Sequence, residues 1–386
     1  MTVQLDTAWE PRAQALADEL EARGDLTDPA WKAAVAETPR HVLVPEVYQQ
    51  DSNGEWQPLD VTSPSGLDRV YSPTTLVTAL ADRGTHREGI SSSTKPDLMV
   101  RMLETLDVHD GQKVLEIGTG TGYNAALLSH RLGAERVFSV DLDADLVDPA
   151  RERLASIGLR PTLVTRDGAE GLPEHVPYDR IIATCSVPVV PDAWWEQLAD
   201  GGLLLTDIKR GTGAGNLVLL RRNGDELEGR FTDRWAAFML MRHHHERPRV
   251  LYTPTDADAH TRTTSAPPNP WEHNRVVWFL AHFTGLPSGA RFGMRFDPDT
   301  RQPTAGTITA PDGSHAFVML EPTPGGKWSV TESGPTPLWA AVEEAHQAWR
   351  AAGEPGWGRF GMTTTAGDQW VWIDEPHGKY QWSLTV

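Results

Sequence analysis

The sequence predicts an α/β protein with a mostly parallel sheet, followed by a smaller α+β C-terminal domain. Two observations carry this prediction. Short apolar strand candidates alternate with helix candidates at even spacing through residues 113–207, a pattern typical of parallel βαβ units. The composition then changes, because residues 271–386 hold nine of the fifteen tryptophans and mostly short strand-like runs.

The chain begins with helix candidates and a polar segment. Residues 7–23 have helical apolar spacing, and residues 28–37 predict a second helix with Asp28 as its N-cap. Residues 49–89 are rich in Gly, Pro, Ser and Asp and only weakly periodic. Long irregular segments of this kind often serve as lids over binding sites. We therefore predict an irregular lid at residues 49–89.

Residues 113–123, KVLEIGTGTGY, indicate a ligand site. Residues 114–117 suit a buried strand, and residues 124–132 suit a helix. The glycines between them, Gly118, Gly120 and Gly122, allow a sharp turn and a close approach to a ligand. Glu116 stands just before the glycines, where a carboxylate disfavours phosphate groups and suits a cationic ligand.

Four further strand candidates complete the predicted sheet. Residues 136–140 end at Asp141, about 20 residues after Gly118, where a Rossmann-like unit places the acid that holds a ribose diol. Strand candidates follow at residues 161–165, 178–184 and 203–207. Two alternating runs around Asn223-Gly224 then predict an antiparallel hairpin at the C-terminal end of this sheet.

These residues together resemble the class I S-adenosylmethionine-dependent methyltransferases, and within them the protein-L-isoaspartate O-methyltransferase family. The glycine loop EIGTGTGY is similar to the loop of that family. Three more stretches resemble its motifs: PRHVLVP at residues 39–45, STKPDLMV at residues 93–100 and IIATCSVP at residues 181–188. The matches are collinear over roughly residues 30–235.

The resemblance implies a Rossmann-like fold and S-adenosylmethionine as the cofactor, with S-adenosylhomocysteine as its product. The glycine loop would face the methionine end, Asp141 the ribose hydroxyls and Asp167 the adenine amine. The complete expected cofactor site is Glu116, Gly118, Thr119, Gly120, Thr121, Gly122, Tyr123, Asp141, Leu142, Asp167 and Gly168. The three acids could instead be a turn residue or helix caps.

The resemblance also implies a catalytic hydroxyl at Thr94, beside Ser93. The family has a serine at the aligned position, close to the methyl group and the acceptor carboxylate. Threonine keeps the hydroxyl and adds a methyl group, so the space is tighter. A carboxylate acceptor is already ionised at pH 7 and needs no general base. The alternative is that Ser93 and Thr94 merely belong to a polar loop that caps the next helix.

Composition excludes several classes of function. The net charge is −18, and no basic patch is visible, so a nucleic-acid partner such as transfer RNA is not expected. We expect no metal at His243–His245, because three adjacent histidines cannot all face one ion. The single cysteine, Cys185, and the absence of an apolar leader or membrane-length run predict a cytoplasmic protein without a membrane partner.

We divide the chain into a methyltransferase domain at residues 1–245, a linker at 246–270 and a C-terminal α+β domain at 271–386. Within the last unit, residues 276–282 predict a strand and residues 337–351 a helix. Single-domain repair enzymes of the resembled family lack such an extension, whereas some actinobacterial relatives that tailor ribosomally made peptides carry one. The C-terminal domain would then recognise the substrate.

The function predicted from this resemblance is carboxyl O-methylation of an aspartyl residue in a peptide. The substrate would be a cyclised, modified precursor peptide, and the ester would close to an aspartimide. Repair of isoaspartyl residues in damaged proteins is the alternative. A non-catalytic cofactor-binding scaffold is a third possibility, which the intact glycine loop argues against.

Overall fold

The structure, a computed structural model, describes residues 9–84, 86–243 and 258–384. The helices are α1 (Trp9–Ala22), α2 (Pro29–Glu37), α3 (Arg40–Leu43), α4 (Pro64–Val70), α5 (Pro96–Thr105), α6 (Tyr123–Leu132), α7 (Ala144–Ser156), α8 (Asp192–Gln197), α9 (Pro270–His273), α10 (Arg275–Thr284) and α11 (Leu338–Ala351).

The strands form three sheets. They are β1 (Val47–Gln50), β2 (Trp56–Leu59), β3 (Leu76–Asp82), β4 (Arg87–Ser93), β5 (Val114–Ile117), β6 (Val137–Asp141), β7 (Thr162–Thr165), β8 (Tyr178–Val187), β9 (Leu198–Gly211), β10 (Ala214–Asn223), β11 (Glu226–Phe231), β12 (His260–Thr264), β13 (Arg291–Phe296), β14 (Pro303–Thr309), β15 (His315–Met319), β16 (Trp328–Ser333), β17 (Phe360–Thr365), β18 (Gln369–Ile373) and β19 (Gln381–Ser383).

The main sheet has ten strands in the order β19-β18-β17-β11-β10-β9-β8-β5-β6-β7. Strands β9, β8, β5, β6 and β7 are parallel, and the remaining pairs are antiparallel. The predicted α/β class and the hairpin at Asn223-Gly224 are therefore confirmed. The antiparallel part is longer than predicted, because β17–β19 continue the sheet beyond β11.

The C-terminal region shares its buried core with the main sheet. One continuous cluster of buried side chains contains Leu115 and Ile181 from the parallel strands together with Trp278 and Trp339 from residues 271–386. The division of the chain at residue 270 stays a prediction.

The predicted linker is partly folded. Its residues 260–264 form β12, which pairs with β16 at the edge of a five-stranded sheet ordered β12-β16-β15-β14-β13. Residues 246–257 lie outside the described residues. Thr261 of β12 pairs with Thr331 of β16 through their hydroxyls, at 2.9 Å. These contacts are long-range, so the local composition did not indicate a strand.

The strand predicted at residues 276–282 is wrong, because this stretch lies within α10. Asn274 caps the helix by accepting a hydrogen bond from the Val277 amide. Helix α10 is buried between β9, β10 and α11, so its apolar residues lie on all sides of the helix. A helix buried in this way has no polar face. Thr284 donates to the Ala341 carbonyl at 2.7 Å and joins α10 to α11. The predicted helix at 337–351 is confirmed as α11.

The segment predicted as irregular, residues 49–89, is mostly regular. It contributes α4 and a four-stranded antiparallel sheet ordered β2-β1-β3-β4. Strands β1 and β2 have only four residues each, and β3 (LVTALAD) and β4 (REGISSS) lack a strict alternation of apolar and polar residues, so the pattern that identifies strands was not visible. A lid role for this segment stays a prediction. Within the described ranges, no helix is both long enough and apolar enough to span a lipid bilayer.

Candidate active site

A cavity of about 1380 Å³ lies at the carboxyl ends of the parallel strands. Open α/β sheets bind their ligands at this edge. The loop after β5 and the ends of β6 and β8 form one part of the wall. The loop between β4 and α5 forms another part, and residues 235–242, which we call the covering segment, form a third.

The glycine loop is fitted tightly against the end of β8. Gly118 has φ +101°, a conformation that side chains rarely adopt, and an added Cβ would lie 2.6 Å from the Thr184 hydroxyl oxygen. That hydroxyl is within hydrogen-bonding distance of the carbonyls of Ile117 and Gly118, at 3.2 and 2.9 Å. Gly118 therefore has to be glycine both for its backbone angle and for the space it leaves to Thr184.

Asp141 joins the end of β6 to the glycine loop. Its Oδ2 accepts a hydrogen bond from the Gly120 amide at 2.9 Å, and both residues line the cavity together with Leu142. Burial raises the pKa of the Asp141 carboxyl above its usual value, and the bond from Gly120 opposes that effect. A carboxylate held at this point can accept hydrogen bonds from hydroxyl groups of a ligand.

Glu116 lies beneath the glycine loop. It is 1% exposed, and its oxygens accept hydrogen bonds from Asn124 at 2.8 Å and Ser139 at 2.7 Å. The Ser139 hydroxyl also lies 2.7 Å from the Thr119 hydroxyl, so the network supports the loop from behind. Burial raises the pKa of Glu116 to about 7. A role for this carboxylate at the methionine end of the cofactor stays a prediction.

Asp167 and Gly168 occupy different positions. Gly168 lies in the cavity wall, and its carbonyl accepts a hydrogen bond from the Trp194 indole at 2.7 Å. Asp167 caps a short 3₁₀ turn by accepting from the Ala169 amide, and its Oδ2 is 2.9 Å from Nδ1 of His243. Asp167 therefore lies next to a cavity-lining residue, Gly168, but is not itself part of the cavity wall. The other two histidines of the triplet lie outside the described residues.

The loop between β4 and α5 places Thr94 in the cavity wall and turns Ser93 away from it. Buried Arg40 holds this loop, because its guanidinium donates to the Ser93 hydroxyl at 3.2 Å and to the Thr94 carbonyl at 3.3 Å. Arg40 also donates to the Val70 carbonyl and lies 5.1 Å from the centre of the Tyr123 ring. Ser93 therefore helps to hold the loop through Arg40, and its catalytic role stays a prediction.

The covering segment is pinned to β8 and β9. The Phe238 amide donates to buried Asp207 at 2.9 Å, and the Ser186 backbone bonds to Met239 and Met241 at 2.8 Å each. Burial raises the pKa of Asp207 to about 6. The place of the covering segment at the cavity follows from these long-range bonds, which no local pattern shows.

Two cations in the wall were not predicted from the sequence. Lys209 extends from β9, where its ammonium donates to the Phe238 carbonyl. Arg291 begins β13 in the C-terminal region. Lys209 could have been found, since it lies near the carboxyl end of a parallel strand. Arg291 could not, because only the tertiary fold brings β13 to the cavity.

The predicted site residues therefore fall into two groups. Those in the cavity wall are Thr94, Gly118, Gly120, Asp141, Leu142 and Gly168. Those outside the wall are Ser93, Glu116, Thr119, Thr121, Gly122, Tyr123 and Asp167. The second group lies under or beside the first, and its buried members fix the loop and strand ends from which the first group projects. Cys185 also lines the cavity, and burial raises the pKa of its thiol.

Comparison with known proteins identifies the family of the chain. The profile of the protein-L-isoaspartate(D-aspartate) O-methyltransferase family matches residues 11–238. A protein-L-isoaspartate O-methyltransferase of Halorhodospira halophila is 36% identical over 218 residues, which cover 56% of this chain and 84% of that protein. The corresponding protein of Maricaulis maris is 35% identical over 208 residues, covering 53% and 82%.

A solved structure extends the likeness in fold to the C-terminal region. A protein-L-isoaspartate O-methyltransferase superimposes with a TM-score of 0.54 and 21% identity, covering 92% of this chain and 96% of that chain. From the family match, the relatives and the shared fold, we conclude that the chain belongs to the protein-L-isoaspartate(D-aspartate) O-methyltransferase family and is an S-adenosylmethionine-dependent O-methyltransferase with a class I fold.

Proposed function

We propose that the enzyme methylates the side-chain carboxylate of an aspartyl residue in a cyclised precursor peptide, and that the ester then closes to an aspartimide. One observation carries the methyl-transfer step. Thr94, which belongs to the loop aligned with the family's substrate motif, shares a single cavity with the glycine loop and Asp141. A peptide carboxylate and the cofactor can therefore meet within one enclosed space.

The residues of the wall fit S-adenosylmethionine. An added Cβ at Gly120 would meet only the Ser91 hydroxyl oxygen, at 3.9 Å, so this part of the loop is open to a ligand, and Asp141 offers carboxylate oxygens for ribose hydroxyls. Gly168, which lines the cavity, would lie near the adenine, as the family resemblance implies.

The protein contributes mainly by alignment. When bound, S-adenosylmethionine supplies an electrophilic methyl group. The acceptor carboxylate is ionised at pH 7, so the site has no proton to remove before transfer. The Thr94 hydroxyl can donate a hydrogen bond that orients this carboxylate, and Arg40 fixes the loop that carries Thr94. Orientation of this kind can supply several kcal/mol of the barrier.

Ring closure follows from the chemistry of the ester. The backbone amide nitrogen of the next residue attacks the ester carbonyl carbon and forms a new C–N bond. The C–O bond to the methoxy group breaks, and methanol leaves with the amide proton. The product is a five-membered aspartimide, one water lighter than the starting peptide.

Repair of isoaspartyl residues is the second candidate, and one observation favours it. A solved protein-L-isoaspartate O-methyltransferase shares the fold over 92% of this chain, C-terminal region included. The extension alone therefore does not distinguish tailoring from repair. Support for tailoring comes from Thr94, whose extra methyl group narrows the acceptor site relative to the family's serine. We place either reaction in the cytoplasm, because the chain has a single cysteine, Cys185.

Mass spectrometry with S-adenosylmethionine on two substrates tests this proposal. One substrate is an isoaspartyl model peptide, and the other is the cyclised product of a precursor gene beside this one. A gain of one methyl group on the cyclised peptide, then loss of methanol, supports tailoring. Turnover of the isoaspartyl peptide alone supports repair. Failure of both peptides, with S-adenosylhomocysteine still bound, contradicts carboxyl methylation.

A further inference from the structure

We propose that Arg291 and Lys209 bind a second carboxylate of the peptide, so that the preferred substrate carries an acidic residue close to the methylated one. This inference rests on the proposed function and names its substrate class. Both side chains lie in the wall of the same cavity as Thr94 and the glycine loop. They come from different parts of the fold, β9 and β13.

The charge of the cavity is opposite to the charge of the chain. The whole chain carries a net charge of −18. The cavity wall nevertheless contains more basic than acidic residues. The basic ones are Arg83, His86, Lys95, Lys209, Arg242 and Arg291, and the acidic ones are Glu88 and Asp141. A wall of this sign within an acidic protein favours the binding of an anion.

Several of these cations are already committed to carboxylates of the protein. Lys95 pairs with buried Asp97 at 2.9 Å, and Arg83 pairs with Glu88 at 3.0 Å. The charge of Arg242 acts on Asp141, which belongs to the cofactor side. Arg291 makes no ion pair with any carboxylate among the described residues. It is therefore available to a ligand.

Aromatic packing fixes Arg291 at the cavity. The next residue, Phe292, stacks on Trp271 at 5.0 Å and meets Trp278 edge-on at 5.8 Å. Trp278 donates to the Thr212 carbonyl at 2.8 Å, which joins this cluster to the end of β9. Neighbouring residues of a strand point to opposite faces, so packing Phe292 inward directs Arg291 to the cavity.

Lys209 supplies the second cation from β9. Its ammonium donates one hydrogen bond to the Phe238 carbonyl, and two N–H groups remain for a ligand. Burial lowers its pKa, and the nearby Asp207 carboxylate opposes that effect. An ammonium and a guanidinium on one wall can share a carboxylate, which has about four acceptor sites. The methylated carboxylate cannot fill this role, because it must lie at the cofactor.

Kinetics with a matched pair of peptides test the inference. Both peptides carry the same aspartyl or isoaspartyl target, and the flanking residues are Glu in one and Gln in the other. We expect wild type to favour the Glu peptide in kcat/KM by about tenfold, and Arg291→Gln to remove most of that preference. Arg291→Glu should reverse it. The control is Arg295→Gln, which removes the same charge from β13 outside the cavity.

The outcomes distinguish failure of this inference from failure of the proposed carboxyl methylation. If wild type methylates both peptides equally, or if Arg291→Gln and Arg295→Gln behave alike, the inference is wrong and carboxyl methylation stands. If neither peptide gains a methyl group while S-adenosylhomocysteine binds, the proposed function fails and the inference with it. Binding of S-adenosylhomocysteine to Arg291→Gln should equal that of wild type, which excludes a general loss of structure.

Discussion

Replacing Gly118 with alanine should disable the cofactor loop. The new Cβ would lie 2.6 Å from the Thr184 hydroxyl oxygen, at a backbone φ of +101°. An L-residue in a left-handed conformation costs about 1–2 kcal/mol. Displacing Thr184 breaks the hydrogen bond that its single hydroxyl hydrogen shares between the Ile117 and Gly118 carbonyls, which contributes about 1 kcal/mol. We expect a total loss of roughly 2–3 kcal/mol in the free energy of unfolding.

Gly111→Ala is the matched control for this prediction. Gly111 has φ +82°, and an added Cβ there meets nothing within 4 Å. Gly111→Ala should lower the free energy of unfolding only by the backbone strain, about 1–2 kcal/mol. Urea unfolding measures both losses, and calorimetric titration with S-adenosylhomocysteine measures binding. The Kd should rise at least about tenfold for Gly118→Ala, a change of about 1.4 kcal/mol, and stay near wild type for Gly111→Ala.

A double variant isolates the steric contribution. In Gly118→Ala/Thr184→Ala the clash is absent. The losses in free energy of unfolding of the two single variants should therefore sum to more than the loss of the double variant. A coupling energy of about 1 kcal/mol or more is expected for groups in contact. The reasoning is refuted if Gly118→Ala is no less stable than Gly111→Ala, or if it binds S-adenosylhomocysteine as tightly as wild type.

Three further predictions concern the site. Asp141→Ala removes a charged acceptor, so the Kd for S-adenosylhomocysteine should rise roughly 10- to 100-fold by calorimetry; unchanged affinity contradicts its role. Thr94→Ala should lower kcat/KM for the peptide about fivefold with unchanged S-adenosylhomocysteine affinity, and Thr94→Ser should retain activity; equal losses in both variants argue against the hydroxyl. The pKa of Glu116 is raised to about 7 when folded and is about 4.3 when unfolded, so its contribution to stability falls by roughly 3 kcal/mol as pH rises through this window. Glu116→Gln should abolish that fall in urea unfolding between these pH values, and parallel profiles for both proteins would show the reasoning to be wrong.

The parts of the site that could be predicted from the sequence are those fixed by local order. The glycine loop and Asp141 at a strand end each follow from a strand, turn and helix in immediate succession, whereas Thr94 was identified from the family resemblance of residues 93–100. The burial of Glu116 follows from the alternation of side chains along β5. Ile117 faces the cavity, so Glu116 faces the opposite side and meets its cross-strand partner Ser139.

The parts of the fold and the site that were not predicted depend on contacts between residues far apart in the sequence. Strand β17 joins β11 across a long stretch of sequence, and Thr363 donates to Glu228 at 3.2 Å. The position of Arg291 depends on Phe292 packing against tryptophans of the helices before it. The helix α10 was mistaken for a strand because burial on every side removes the periodic polar residues that distinguish the two.

The most direct test is the chemical nature of the bond formed on the peptide. Wild type is incubated with S-adenosylmethionine carrying a labelled methyl group and with the isoaspartyl and cyclised peptides, and the label is located by tandem mass spectrometry. We predict label on an aspartyl or isoaspartyl carboxylate, released as methanol by mild base or as the aspartimide closes, and less label with Asp141→Ala when S-adenosylmethionine is below saturation. Label that resists base, or that lies on a nitrogen or hydroxyl group, contradicts carboxyl methylation.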